Sequence, residues 1–197
     1  MRSSEITRNT GETQIELRLN LDGSGQYDIQ SGSGFLDHML ELFTRHGDFD
    51  IYLRCAGDSH VDFHHSAEDV AIVLGRAFAQ ALGDMRGVRR YGSLILPKDE
   101  ALVMAAVDLS GRAYLGWDVS FPAEKIGEFD TELLQEFMSA FVRCLGAAVH
   151  LRQLAGENSH HIAEAVFKAL ARTLREAVSI EAAHLDEVPS TKGLIVG

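Results

Sequence analysis

Apolar and polar residues alternate from Ile15 to Leu21: Ile15, Leu17, Leu19 and Leu21 interleave with Glu16, Arg18 and Asn20. A period of two predicts a half-buried strand, and Asp22-Gly23-Ser24-Gly25 supplies a turn after it. Residues Phe35 to His46 read as a short helix, followed by a strand at about 48–54. From His64 to about Met85 the period becomes helical, with Val70, Val73, Leu74, Ala77, Phe78, Ala81 and Leu82 on one apolar face. The theme then recurs: strands near 93–97, 101–108 and 113–119, and helices near 130–146 and 158–178 with a strand between them. Strands grouped ahead of helices predict an α+β protein with helices covering one face of each mostly antiparallel sheet.

The recurrence is also written in the residues. His64-His65-Ser66-Ala67-Glu68 returns 96 positions later as His160-His161-Ile162-Ala163-Glu164. Val70 then aligns with Val166 and Leu74 with Leu170. Upstream, Leu53-Arg54 and Ala56-Gly57-Asp58 mirror Leu151-Arg152 and Ala155-Gly156-Glu157. Self-similarity over such a span indicates duplication. Two half-domains are expected, residues 1–92 and 93–197, forming one compact unit with a shared core and a seam near 90–98.

Composition narrows the setting. Hydrophobic residues are 46% and charged residues 24% of the 197-residue chain, close to the globular average. No apolar run has the length of a signal peptide or membrane span. Cys55 and Cys144 lack a close cysteine partner, so both are expected as small reduced core residues, which points to the cytoplasm. The formal charge of −11 disfavours nucleic acid and anionic membranes. It also means that a phosphorylated ligand would need local cations.

The duplicated histidines carry the chemistry. On a helix Glu68 lies roughly 40° from His64 and roughly 60° from His65 on the other side, so two imidazoles flank one carboxylate. Adjacent histidines diverge, which suits two different ions; His160, His161 and Glu164 repeat the set. Mixed imidazole–carboxylate donors favour Mn, Fe or Zn, and octahedral geometry would favour Mn. This is not the HExxH zinc-protease spacing. His150 and His184 are expected as ordinary surface or core residues, and His60 is left open.

Four motifs, in order, give the chain a resemblance to the imidazoleglycerol-phosphate dehydratase family, from about Arg8 to Gly193. They are Phe35-Leu36-Asp37-His38-Met39-Leu40, the His64-to-Ile72 run HHSAEDVAI, Glu157-Asn158-Ser159-His160-His161, and Pro189-Ser190-Thr191-Lys192-Gly193. The resemblance implies metal ligands at His38, His64, His65, Glu68, His160, His161 and Glu164. Where some members carry His ahead of a double Phe, this chain reads Gln135-Glu136-Phe137-Met138. A carboxylate at Glu136 can still coordinate a hard divalent ion, and its offset of 98 from His38 is close to the repeat offset.

The resemblance further implies a hydro-lyase of histidine biosynthesis that converts D-erythro-imidazoleglycerol phosphate to imidazoleacetol phosphate and water, with two Mn²⁺ per active site. No carbonyl acidifies the C–H bond that breaks, so the imidazole ring is the electronic handle, and its imidazolate would expel the neighbouring hydroxyl. Glu12 is implied as proton shuttle, and Glu68 and Glu164 are implied as further catalytic residues that also hold the ions. Substrate contacts are implied at Glu12, His38, His46, His64, Arg90, Arg112, His160, Lys168, Ser190, Thr191 and Lys192. A large symmetric homo-oligomer is implied, of 24 subunits in that family, with ligands meeting between subunits. A dinuclear metallohydrolase and a non-enzymatic metal-binding protein are the competing readings.

Overall fold

The computed structural model describes residues 2–195. Its first half runs β1 (Ser3–Asn9), β2 (Thr13–Asn20), β3 (Tyr27–Gln30), α1 (Gly34–Gly47), β4 (Asp50–Gly57) and α2 (His64–Leu82). The second runs β5 (Tyr91–Lys98), β6 (Ala101–Asp108), β7 (Tyr114–Asp118), α3 (Glu132–Leu145), β10 (Ala148–Ala155) and α4 (Ser159–Ala177). A small hairpin, β8 (Lys125–Ile126) with β9 (Phe129–Asp130), is inserted between β7 and α3.

The sheet orders are β1-β2-β4-β3 and β5-β6-β10-β7, the same topology written twice. In each, the first three neighbours pair antiparallel and the last pair, β3 with β4 or β7 with β10, is parallel. A parallel neighbour cannot follow through a tight hairpin, so α1 and α3 serve as crossovers. They are equal in length, 14 residues each, and His38 and Glu136 occupy the same fifth position.

Alternation makes the strands one-sided. Thr13, Ile15, Leu17 and Leu19 of β2 are buried, as are Ala101, Val103, Ala105 and Val107 of β6. Helix α2 packs on β1, β2 and β4, and α4 on β5, β6 and β10. The halves then join helix to helix, α2 against α3 and α1 against α4. Phe78 of α2 anchors this layer, with ring centroids 5.9 Å from Phe43 of α1 and 5.7 Å from Phe141 of α3, both near perpendicular. Edge-to-face geometry of this kind adds to the area term. Among the described residues no helix is long and apolar enough to cross a membrane.

Local differences from the sequence reading have physical causes. Strand β1 is mostly polar on its outer face, and only Ser4 is fully buried, its hydroxyl donating to the Ala77 carbonyl. Helix α2 stops at Leu82, because Gly83 and Met85 adopt positive φ of 60° and 66°. Cys55 and Cys144 are free but only half-buried at the rim of the core.

Candidate metal centre and anion pocket

The α1–α4 contact brings chemistry from both halves to one point. His38 Nε2 and His160 Nε2 each lie 3.2 Å from Glu164 Oε1, and one donor atom from each of the three residues falls within 4.8 Å of the others. Phe35 packs edge-on against the His160 ring at 5.6 Å. Asn158 caps α4, its side-chain oxygen accepting from the His160 and His161 backbone N–H groups, which fixes the turn that presents these residues. Burial alone would push the Glu164 carboxyl up, but hydrogen bonds from Lys168, at 2.6 Å, and from His38 and His160 outweigh it and hold its pKa at about 2. Glu164 is therefore an anion at any physiological pH. Two imidazole nitrogens and a carboxylate oxygen form a donor set suited to a borderline divalent ion. Beside this cluster, burial and the nearby Lys168 and Arg172 charges lower the His46 pKa.

The first repeat is built alike but closes differently. His64 and His65 diverge, their rings 6.1 Å apart and 80° from parallel. Glu68 takes an ion pair from Arg143 of α3 at 3.2 Å. Glu136 is exposed on α3, and among the described residues it joins no ligand group with His64 and Glu68. The expected flanking is half present at Glu164, which His160 reaches while His161 turns away toward Glu100; Glu68 is met by Arg143, and His65 turns to Asp58 and Glu12.

Both outer histidines meet carboxylates. His65 Nδ1 lies 2.9 Å from Asp58 Oδ2, and its Nε2 lies 3.7 Å from Glu12 Oε1. The Asp58 hydrogen bond raises the His65 pKa, and the same contact lowers that of Asp58. His161 Nδ1 lies 2.7 Å from Glu100 Oε2, and its Nε2 lies 3.6 Å from Asp99 Oδ2. His161 and the Asn158 backbone N–H hold Glu100 at about 2. Sequence reasoning missed Asp58, Asp99, Glu100 and Arg143 as neighbours of the motif. Only Asp58 carried a signal, as the acid of the repeated Ala-Gly-acid turn.

A third place gathers the cations. Arg90, Arg112, Ser190, Thr191 and Lys192 line a cavity of about 500 Å³, with Tyr91 and Ser110. The Arg90 guanidinium straps this wall: Nε donates to Asp108 at 2.7 Å and Nη1 to the Pro189 carbonyl at 2.7 Å. Ser190 Oγ accepts the Lys192 backbone N–H at 3.2 Å. Lys168 and His46 stand apart from this cavity, with the Glu164 cluster. The His150 ring lies tilted against Tyr114 with centroids 5.4 Å apart, and His184 pairs with Glu187 on the surface.

These features define a duplicated α+β protein with a histidine–carboxylate cluster suited to a divalent ion and, apart from it, a cationic cavity suited to an anionic group. The comparisons make this particular. Residues 31–174 match the family model described as imidazoleglycerol-phosphate dehydratase. A Jannaschia protein of that name is 56% identical over 193 residues, covering 98% of this chain and 99% of the relative. A Cereibacter sphaeroides protein of the same name is 55% identical over 195 residues, covering 99% and 100%. Among solved structures, imidazoleglycerol-phosphate dehydratase from Staphylococcus aureus superposes with a TM-score of 0.83 at 36% identity, covering 91% of this chain and 99% of that one. The Pyrococcus furiosus structure gives 0.82 at 35%, covering 96% and 99%. The chain belongs to the imidazoleglycerol-phosphate dehydratase family.

Proposed function

We propose that this protein dehydrates D-erythro-imidazoleglycerol phosphate to imidazoleacetol phosphate, a hydro-lyase step of histidine biosynthesis, using manganese in the cytoplasm. The convergence of His38, His160 and Glu164 carries the metal part of this reading, and near full-length similarity to named dehydratases carries the reaction. Two Mn²⁺ per site, held by His38, His64, His65, Glu68, Glu136, His160, His161 and Glu164, would act as Lewis acids on the substrate's imidazole ring.

The chain's own residues supply the rest. Glu12, exposed in the β1–β2 turn and 3.7 Å from His65 Nε2, takes the proton from the carbon that loses hydrogen, as a general base. The hydroxyl on the adjacent carbon leaves with a proton as water, and the resulting enol becomes the ketone. Arg90, Arg112, Ser190, Thr191 and Lys192 bind the phosphate through charge-assisted hydrogen bonds. Their local charge offsets the repulsion expected from a chain of net charge −11. His46 and Lys168 contact substrate from the Glu164 side. Ligands of the first repeat, left open in one chain, are completed by a neighbouring subunit in a symmetric homo-oligomer of 24 copies.

The test is a product assay with the purified protein and imidazoleglycerol phosphate. Formation of the ketone without release of inorganic phosphate supports the dehydratase. Phosphate release would support the metallohydrolase reading, and metal binding with neither product would leave a metal-binding protein.

A further inference from the structure

His65 and His161, the second histidine of each motif, sit in matched settings: Nδ1 close to one carboxylate, Nε2 further from another. We propose that Asp58 and Glu100 are positioning residues, each accepting the hydrogen bond from its histidine's Nδ1–H and so leaving Nε2 unprotonated as the nitrogen that binds the divalent ion. This rests on the reading of His65 and His161 as ligands. A neutral imidazole has one donor and one acceptor nitrogen, so fixing the donor fixes the tautomer. A carboxylate on the donor side also raises the basicity of the ligating side.

The origin of the two carboxylates argues for function over inheritance. Asp58 comes from the segment between β4 and α2, whereas Glu100 comes from the β5–β6 turn. The repeat counterpart of Asp58 is Glu157, which here only lends its backbone N–H to Glu100 at 3.4 Å. The same contact has thus been made from two different elements. Asp58 also has an unfavourable environment for a purely structural residue. Its Oδ1 is buried with no hydrogen-bond partner among the described residues, a state that costs desolvation energy. Glu100 has a second task, because its Oε1 accepts the Asn158 N–H at 2.9 Å at the start of α4. The test must therefore separate orientation of His161 from support of the helix.

The full-length protein is stripped with chelator and titrated with Mn²⁺, following the electron paramagnetic resonance signal of the free ion. Asp58→Ala and Glu100→Ala are expected to weaken binding about 10- to 100-fold. Glu100→Gln keeps a single acceptor oxygen, which can serve the His161 ring or the Asn158 backbone N–H but not both, so it should recover only part of the loss. In a His161→Ala background Glu100→Ala should cost nothing more, and likewise Asp58→Ala in a His65→Ala background. Equal losses in both backgrounds would overturn the positioning role. If His65→Ala and His161→Ala bind Mn²⁺ as tightly as the parent, the ligand reading itself falls and takes the proposal with it. Asp58 lies outside the α4 cap, so its cycle decides the matter should Glu100→Ala fail to assemble.

Discussion

Replacing Gly75 with alanine tests the packing that holds the two halves together. Gly75 lies in α2 where it crosses α3, and a Cβ there would meet the Phe141 carbonyl oxygen at 2.5 Å, the Cys144 Cβ at 2.9 Å and the Leu145 nitrogen at 3.1 Å. Two effects oppose. Alanine is the better helix former by about 1 kcal/mol. Against that, ordinary contact begins near 3.4 Å, so the helices must separate by most of an ångström, and two of the three neighbours are backbone that cannot rotate away. Overpacking of this kind typically costs about 1–3 kcal/mol and occasionally more. With a backbone carbonyl as the obstacle the upper part of that range applies, leaving a net loss of about 1–2 kcal/mol. The assay is urea unfolding of chelator-treated protein, comparing midpoints at unchanged slope. An alanine variant as stable as the parent, or more so, would refute the close-packing argument.

Glu12→Gln should lower turnover by at least about 100-fold, the typical contribution of a general base, with metal content by elemental analysis unchanged. Lys192→Ala should raise KM roughly 10-fold or more, the size of a lost charge-assisted hydrogen bond, while metal content and assembled mass on sizing stay as in the parent. Asp50 is the pH case: burial raises its pKa, but the Ser24 and Gln26 backbone N–H groups and Asn20 lower it further, for a net depression below 3.8. A depressed folded pKa contributes stability above the unfolded value and loses it as pH falls. Asp50→Asn should therefore cost about 1 kcal/mol near neutrality, and denaturant curves should show the gap closing as pH drops below 3.8.

Local signals in the sequence are those that survive in three dimensions. The alternation around Leu17 and the helical face around Val73 depend on burial, which imposes its period directly on the residues. The repeated His-His-x-x-Glu was legible because adjacent positions on a helix keep their geometry. Strand β1 was not legible, since an edge strand with a polar outer face needs few apolar residues. Nor was β3, only four residues long. The partners of His65 and His161 were hidden for another reason: Glu100 lies 61 residues from His161, and only the folded sheet brings its turn to the start of α4. The same holds for Arg143 and Glu68, 75 residues apart. His38 was expected as a ligand from the family motifs, and the departure at Glu136 was visible as a carboxylate where some members carry His; the Arg143–Glu68 pair in that repeat was not.

Metal-dependent dehydration of imidazoleglycerol phosphate stands or falls on turnover by protein stripped with chelator and then reloaded with Mn²⁺. Ketone formation should disappear on stripping and return on reloading. Reloaded, assembled protein that leaves the substrate untouched, or stripped protein that still turns it over, would contradict it.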